Sequence, residues 1–530
     1  MERLRFILPA SMVSLSIQNR SKKVFDFNPD SIMKKYLSLA VAAVAFLVSC
    51  GNNNTTDTQP AELSPIMEKA LNDKGSKFYA DFPAFPKQLD KLPIGVFDSG
   101  TGGLTVLEVL LNADMIDNIS GKIGGDGVPD FAGESFTYLA DRANMPYGNY
   151  AAENKQDFFK ELVVKDALFL LNNKFWTNPA DKRMEGVKQP CKILVIACNT
   201  ATAWGLQDIN TMLELSGTGV KVIGVINAGV NALYNKLESS NTKDSVAVGV
   251  LATVGTIASN AYERTIREIG EQNGYGNYIK VVNHPCAGFA EAVDQEKDFV
   301  NTTLTTPREG YRGPALGIGS EDIKEGLLSI YNFDYSNGAV LREKVNGQYT
   351  QFQLNSAANY ARFHLVTLLE KHKASGAQVP LKHIILGCTH YPFLLNVLNE
   401  TIEELRNYRD KDGKLVYEGL IHPEFEFIDP AVFTALECYQ TLREDKNLAL
   451  NTTEGAFEGY ISVPAYGLPA ECLDADGNLS YNFKYGREHA TEDITTVFVP
   501  FSKRYLDEQT LARIETMLPL SYNKIKQIIE

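Results

Sequence analysis

Two short segments of the chain each place a cysteine directly after an apolar run. Residues 194–197 precede Cys198 and residues 384–387 precede Cys388, and hydroxyl, amide or imidazole side chains follow both thiols. Apolar runs of this length predict buried strands, so each thiol is expected at a strand end. If the two thiols face each other across a pocket, one can remove a proton from a carbon centre while the other returns one from the opposite side. That is the chemistry of racemisation without a cofactor.

The elements that would position these thiols occur in a repeated order. Residues 94–97 predict a strand, the glycine-rich segment 98–103 a turn, and residues 104–111 a helix. A comparable unit has a strand-like run at 246–251 and an expected helix at 257–269. Each unit precedes one cysteine strand, which predicts an α/β fold of two pseudo-symmetric lobes, each with a mainly parallel sheet flanked by helices. The active site is then expected in the cleft between the lobes, at the carboxyl ends of the strands.

Composition favours a small-molecule substrate over nucleic acid. The chain has 530 residues, 44% of them hydrophobic and 22% charged, with a formal net charge of −14. Phosphate contacts need clustered Lys and Arg, which this chain does not show, so no nucleic-acid partner is expected. The glycine-rich turn lacks both the spacing of a dinucleotide site and the lysine of a phosphate loop. We therefore expect no cofactor.

The N-terminal segment has the three zones of a secretion signal. Two lysines follow Met33, an apolar segment covers residues 37–48, and small residues lead to Cys50. This order resembles a bacterial lipoprotein signal, which implies a lipid on Cys50 and a membrane anchor in the cell envelope, at the periplasmic face or outer membrane. The polar residues 52–58 predict a flexible tether. A plain signal anchor or a buried helix is the alternative, and Met1 or Met33 is the start.

The other cysteines do not suggest a disulfide framework or a metal motif. Cys191, Cys286, Cys438 and Cys472 are widely spread and form no CxxC pair. Histidines near Cys286 and Cys388 leave a zinc site open, but the spacing supports it poorly and we expect no metal. Export permits disulfides, and one between Cys198 and Cys388 would silence the proposed chemistry. Either thiol alone is also compatible with simple packing in a core.

Four segments together resemble glutamate racemase, of the aspartate/glutamate racemase superfamily. They are residues 94–100, 138–148, 197–201 and 387–392, and they occur in the order found in that family. The likeness covers roughly residues 93–436. Each motif alone is weak, whereas the four in order are specific.

The resemblance implies a role for each matching residue. Cys198 and Cys388 become the two acid/base thiols acting on an amino acid, with no cofactor. The implied substrate contacts are Asp98, Ser99, Tyr147, Gly148, Asn199, Thr200, Thr389, His390 and Thr256. Thr253, Ser259 and Tyr262 fall on the same pattern as Thr256.

Some positions depart from the family pattern close to the expected site. Arg142 stands where the family usually has threonine, and Asn144 where it has arginine. In residues 286–294 the prolines of the family are missing, and Asp294 replaces a glutamate. These changes concern the identity of the substrate more than the reaction.

The chain is longer than the resemblance requires, which leads to a predicted domain plan. Its parts are an upstream segment with the signal at 1–50, a tether and linker at 51–92, first-lobe residues at 93–228, second-lobe residues at 229–398 with an insertion at about 300–350, and a return to the first lobe with a C-terminal extension at 399–530.

The leading hypothesis is an envelope lipoprotein that racemises glutamate or a related amino acid such as aspartate, with a homodimer left open. A cytoplasmic glutamate racemase supplies D-glutamate for cell-wall peptidoglycan, and an anchored protein outside that membrane cannot reach the precursor pool. The first alternative is a non-catalytic lipoprotein that binds an amino acid or a cell-wall fragment. Another isomerase or a decarboxylase of the superfamily is the second alternative. Exchange of the α-proton discriminates between catalysis and binding.

Overall fold

The computed structural model describes residues 63–181, 183–238, 245–376, 378–449 and 453–529. The predicted signal and Cys50 lie outside the described residues. The described chain divides into two compact units, one of residues 114–130 and one of the remainder. Within the described ranges, no helix is both long enough and apolar enough to cross a membrane.

The smaller unit is an irregular loop held by backbone-to-carboxylate hydrogen bonds. The backbone N–H groups of Met115 and Ile116 donate to Asp130 at 2.8 and 3.2 Å. An isolated antiparallel bridge joins Ile116 to Ile123. The unit thus has local order of its own.

The larger unit contains the regular secondary structure. Its strands are β1 (Ile94–Asp98), β2 (Phe136–Ala140), β3 (Lys174–Phe175), β4 (Gly186–Val187), β5 (Ile193–Ile196), β6 (Lys221–Gly224), β7 (Val246–Ala252), β8 (Ile279–Pro285), β9 (Val340–Val345), β10 (Gln348–Leu354), β11 (Leu381–Gly387), β12 (Ile421–Ile428), β13 (Phe457–Pro464) and β14 (Thr496–Pro500). Its α-helices are Pro65–Leu71, Leu104–Asn112, Asn149–Ala152, Gln156–Leu171, Asn199–Ser216, Val225–Glu238, Val254–Ala258, Ala261–Gln272, Phe289–Val293, Leu328–Tyr331, Ala357–Ala374, Leu395–Asn407, Ala431–Glu444, Tyr481–Gly486, Glu508–Met517 and Pro519–Ile529.

The first sheet has the order β14-β13-β2-β1-β5-β6. Its strands run parallel except for β14, which pairs antiparallel with β13. Every residue of β1, β2 and β5 is buried, because helices cover both faces of a parallel sheet. We call this sheet and its helices the first lobe.

The second sheet has the order β12-β11-β7-β8 and is parallel throughout. All residues of β7 and β11 are buried. Strands β9 and β10 form a separate antiparallel hairpin within and just after the predicted insertion. This sheet and its helices are the second lobe. The predicted α/β class with two lobes of mainly parallel sheet is therefore confirmed.

Two local predictions need correction. The return to the first lobe comes later than residue 399, because β12 pairs with β11 and its Phe425 and Phe427 pack on the second core. The expected helix at 257–269 is broken, since Asn260 adopts a left-handed conformation between Val254–Ala258 and Ala261–Gln272.

Candidate active site

The two thiols predicted from the sequence line one small cavity. Cys198 follows β5 and caps the helix Asn199–Ser216, whereas Cys388 follows β11 of the other sheet. Both are buried and free of disulfides. The lining residues are Asp98, Ser99, Met145, Pro146, Tyr147, Gly148, Cys198, Asn199, Thr200, Thr253, Ala290, Glu291, Asp294, Cys388, Thr389 and His390. The fold therefore brings together all the predicted site residues it describes except Thr256.

Cys198 lies in a setting that favours the neutral thiol. Burial raises the pKa of Cys198 well above its ordinary value, and the carboxylate of Asp98 raises it further. The backbone N–H of Ala201 donates to its Sγ at 3.5 Å, which acts in the opposite direction but is outweighed. Asp98 is itself fixed at the end of β1, where Gly103 N–H donates to its Oδ2 at 2.7 Å. Cys198 is thus placed as a proton donor.

Cys388 has a histidine as its neighbour instead of a carboxylate. Its Sγ lies 3.4 Å from Nδ1 of His390, and Nε2 of His390 lies 2.9 Å from Oδ2 of Asp294. Burial alone would lower the pKa of His390, but the charges of Asp294 and Cys388 raise it well above the ordinary value. The imidazole is therefore placed to hold a proton between the carboxylate of Asp294 and the sulfur of Cys388.

Gly102 provides the space that His390 occupies. A Cβ at this position would overlap the imidazole ring, so the loop after β1 can approach the ring only as glycine. The close contact joins a first-lobe loop to a second-lobe side chain. It fixes the plane of the ring next to Cys388.

The C-terminal extension supplies an arginine that the motifs did not indicate. Arg513, on the helix Glu508–Met517, donates to Oδ1 of Asp294 at 2.7 Å and to the Thr101 hydroxyl at 3.1 Å. Burial alone would raise the pKa of Asp294, but His390 and Arg513 hold it well below its ordinary value. Asp294 therefore stays a carboxylate and orients His390. No spacing signal in the sequence ties Arg513 to this site, because it lies far from the motifs.

A second arginine of the extension reaches the position where the family pattern has one. Arg487 donates from Nη2 to the side-chain oxygen of Asn144 at 2.6 Å. The amide of Asn144 in turn donates to Asp141 at 2.8 Å. The departure at Asn144 is thus accompanied by a guanidinium from elsewhere in the chain.

Tyr147 contributes its ring to the cavity and its hydroxyl to a buried acid pair. The hydroxyl lies 2.5 Å from Asp141 and 2.7 Å from Asp166. Burial raises the pKa of Asp141 to about 6, and burial together with Asp141 raises the pKa of Asp166 well above its ordinary value. One hydroxyl proton cannot serve two carboxylates, so the protonated Asp166 supplies the second proton. The carboxyl groups of Asp141 and Asp166 therefore hold the Tyr147 hydroxyl in place.

Three hydroxyl groups form a triangle at the wall of the cavity. Thr200 Oγ1 lies 2.7 Å from Thr253 and 3.0 Å from Thr256, and these two lie 2.9 Å apart. Thr256 was expected to contact substrate, but it is buried behind the other two and does not line the cavity. Asn199 is held by the Tyr262 hydroxyl, which donates to its side-chain oxygen at 2.6 Å. These contacts leave Thr200 and Thr253 at the cavity surface.

Glu291 is a charged lining residue that the sequence motifs did not indicate. It lies in the segment whose missing prolines marked a departure, on the short helix Phe289–Val293. Burial raises the pKa of Glu291 above its ordinary value. Asp98, Glu291 and Asp294 make the lining largely acidic. Its histidine, His390, pairs with Asp294, and none of the lining residues is a lysine or arginine. The charges of the lining are relevant to which substrate side chain the cavity can accept.

The fold and the cleft define a two-lobed α/β protein with one thiol from each lobe. No model of a known protein family matches the chain. The chain is similar to the glutamate racemase of Gloeothece citriformis, with 28% identity over 240 residues covering 45% of this chain and 66% of the relative. It is similar to the glutamate racemase of Oceanobacillus iheyensis, with 31% identity over 202 residues covering 38% and 54%. A solved glutamate racemase isoform from Bacillus anthracis has 23% identity and a TM-score of 0.39, covering 70% of this chain and 88% of that one.

The aligned part of the chain spans less than two thirds of the length of the first two relatives. The chain is similar in sequence to glutamate racemases, which is the resemblance that its motifs indicated.

Proposed function

We propose that the chain is a cofactor-independent amino-acid racemase that works by proton transfer between two thiols and the substrate α-carbon. The observation that carries the proposal is the position of Cys198 and Cys388, one from each lobe, on one cavity, with Asp98 beside the first thiol and His390 beside the second. A binding protein needs no such pair.

In the proposed reaction the Cys388 thiolate removes the α-proton, so a C–H bond breaks and an S–H bond forms. The Cys198 thiol then donates its proton to the opposite face of the carbanion, which inverts the centre. The other enantiomer uses the same steps in reverse. After each turnover the protons sit on the opposite thiols, and either the reverse reaction or exchange with water restores the starting form.

The developing negative charge needs donors placed before the reaction starts. Thr200 is the second residue of the helix Asn199–Ser216, whose first backbone N–H groups attract an anion. The side chain of Thr389 lies beside the other thiol. We assign the substrate carboxylate to these donors and the amino group to the Asp98 carboxylate.

Glutamate is the first substrate to test, because the named relatives are glutamate racemases. Glu291 favours a second candidate within the same reaction. A dicarboxylic substrate would bring its side-chain charge towards an acidic lining without a lysine or arginine. An amino acid with a neutral or cationic side chain fits that lining better, and aspartate remains a third substrate to compare.

The proposal places this activity in the cell envelope, on a lipid attached to Cys50. The sequence signal from Met33 to Cys50 motivates it. Labelling cells with a tagged fatty acid tests this, and a Cys50→Ser variant that still takes up label would contradict it. A homodimer remains a prediction, which light scattering of the purified chain measures.

The deciding experiment uses the chain without its signal, under reducing conditions, in deuterated water. Each enantiomer of glutamate, aspartate, glutamine and lysine is incubated separately, and the products are resolved on a chiral column while NMR follows the α-proton. We expect inversion with deuterium incorporation for at least one amino acid. Thermal stabilisation by an amino acid without any exchange, retained in Cys198→Ala, would instead establish a binding protein.

A further inference from the structure

A second cluster of buried side chains lies in the second lobe, outside the lining of the thiol cavity. His284 is on β8, Cys286 follows that strand directly, and His364 is on the helix Ala357–Ala374. All three are at most 2% exposed. One nitrogen of each histidine and the cysteine sulfur lie within 4.8 Å of one another.

The hydrogen bonds of His364 leave a nitrogen lone pair of its ring facing His284. Nε2 of His364 lies 3.2 Å from the carbonyl oxygen of Ala287, an acceptor, so the proton of this ring sits on Nε2. Its Nδ1 then presents a lone pair towards Nε2 of His284, 2.9 Å away. Phe289 stacks on the His364 ring and Phe363 packs edge-on against it, so the ring is held in this orientation.

His284 cannot satisfy both of its neighbours as a neutral ring. Its Nδ1 lies 3.4 Å from Oε2 of Glu321, and neither atom has a hydrogen-bond partner. With the proton on Nδ1, two lone pairs face each other across the 2.9 Å gap to His364. With the proton on Nε2, a lone pair faces a carboxylate. A cation between the two rings removes the conflict, because Nδ1–H then points to Glu321.

We propose that His284, Cys286 and His364 bind a divalent transition metal ion of the zinc type. Imidazole nitrogen and thiolate sulfur are the donors that zinc prefers, at about 2.0 to 2.3 Å. Tetrahedral geometry then needs donor separations of about 3.3 to 3.6 Å, within reach of small side-chain rotations here. Glu321 and the Ala287 carbonyl hold the remaining ring nitrogens, as partners of metal-bound histidines commonly do. A water molecule or small anion completes the coordination.

The position of the site suggests what the metal holds together. Cys286 begins the segment that ends at Asp294, the residue that orients His390. Glu321 belongs to the predicted insertion and also pairs with Lys371 at 2.6 Å, on the same helix as His364. The metal would therefore fix the insertion and the Asp294 segment to one helix. Glu321 is 41% exposed, which gives an ion a route from solvent.

The test measures metal directly and does not depend on racemase activity. The full chain, purified without chelators under reducing conditions, is analysed for metals by mass spectrometry and then titrated with Co²⁺ after metal removal. We expect one equivalent of bound metal, visible d–d bands, and a thiolate-to-cobalt charge-transfer band in the near ultraviolet. Cys286→Ser should abolish the charge-transfer band, and His364→Gln should weaken Co²⁺ binding about 100-fold or more.

Matched controls exclude the other thiols and histidines. Cys472→Ser, Cys388→Ser and His372→Gln should keep both the stoichiometry and the spectrum.

If Cys286→Ser fails to fold, the wild-type spectrum and a fall in melting temperature on chelation still decide the matter. A wild-type protein with neither bound metal nor a cobalt spectrum would overturn the proposal. An unchanged spectrum in both ligand variants would also overturn it. Neither result would affect the thiol chemistry.

Discussion

Arg513 and Asp294 are joined by a hydrogen bond of 2.7 Å between Nη2 and Oδ1. The other oxygen of Asp294 faces His390, which faces Cys388. The helix Glu508–Met517 is therefore connected through two side chains to the proposed base. A segment outside the family resemblance takes part in arranging the site.

Arg513→Ala should lower kcat about 10- to 100-fold with little change in KM. The variant leaves the lining of the cavity intact but frees Asp294 to rotate, so His390 loses its fixed orientation. Steady-state kinetics with the best substrate measures the effect, and Arg513→Lys should recover part of it because it restores the charge. Arg504→Ala, at an exposed position nearby, should match the wild type. A purely structural role for Arg513 predicts a lower melting temperature with kcat unchanged.

Replacing either thiol should stop inversion while preserving exchange on one face. Cys198→Ala and Cys388→Ala should each lower racemisation by about 1000-fold or more, as expected when one of two essential acid/base groups is lost. The remaining thiol can still remove and return a proton on its own side. Each variant should therefore exchange the α-proton of one enantiomer only, and the two variants should prefer opposite enantiomers.

NMR in deuterated water measures this preference. Cys472→Ser serves as the control, because this buried thiol lies outside the cavity lining. Equal exchange of both enantiomers by a single-thiol variant would contradict a two-base reaction.

Glu291→Gln should change which amino acid is accepted. The substitution removes an acidic group from the lining but keeps its size and hydrogen bonding. If Glu291 selects against dicarboxylic substrates, kcat/KM for glutamate should rise about 10-fold while that for lysine falls. Competition between pairs of amino acids gives the ratio directly. Parallel changes for every amino acid would show that Glu291 does not set selectivity.

Glu437→Gln should stabilise the fold at alkaline pH. Burial raises the pKa of Glu437 from 4.5 to about 7, and its Oε2 has no hydrogen-bond partner. The folded state thus binds more protons than the unfolded state between these values, and stability falls as pH rises through them. The variant removes this loss, which amounts to about 2 to 3 kcal/mol at pH 8.

Urea unfolding at pH 4 and pH 8 checks the prediction, with little gain expected at the lower pH. Glu444→Gln, at an exposed position on the same helix, should change stability by no more than about 0.5 kcal/mol at either pH. An equal gain for Glu437→Gln at both values would exclude a titration effect.

Local sequence patterns predicted the parts of the site that depend on local structure. Cys198 and Cys388 each follow an apolar strand, and parallel strands bring such ends to one edge of a sheet. The same rule predicted Asp98 and Thr200, because Asp98 ends β1 and Thr200 comes shortly after β5. Arg487 and Arg513 could not be found this way, because contacts between an extension and a distant loop leave no periodic signal. Thr256 was predicted to contact substrate but does not line the cavity, because spacing on a helix does not show which hydroxyl is buried behind another.

Local sequence patterns also could not predict the cluster of His284, Cys286 and His364. His284 and Cys286 are close in the sequence, but His364 comes from a helix far along the chain. No motif spacing connects them, so sequence patterns supported a zinc site poorly. Only packing of the helix against β8 brings the three together.

The contact between Gly102 and His390 joins the two lobes at the proposed proton relay. Separation of the lobes would withdraw the loop after β1 from the His390 ring. The ring would then be free to turn away from the sulfur of Cys388. The arrangement of the two lobes and the surroundings of this thiol would therefore change together.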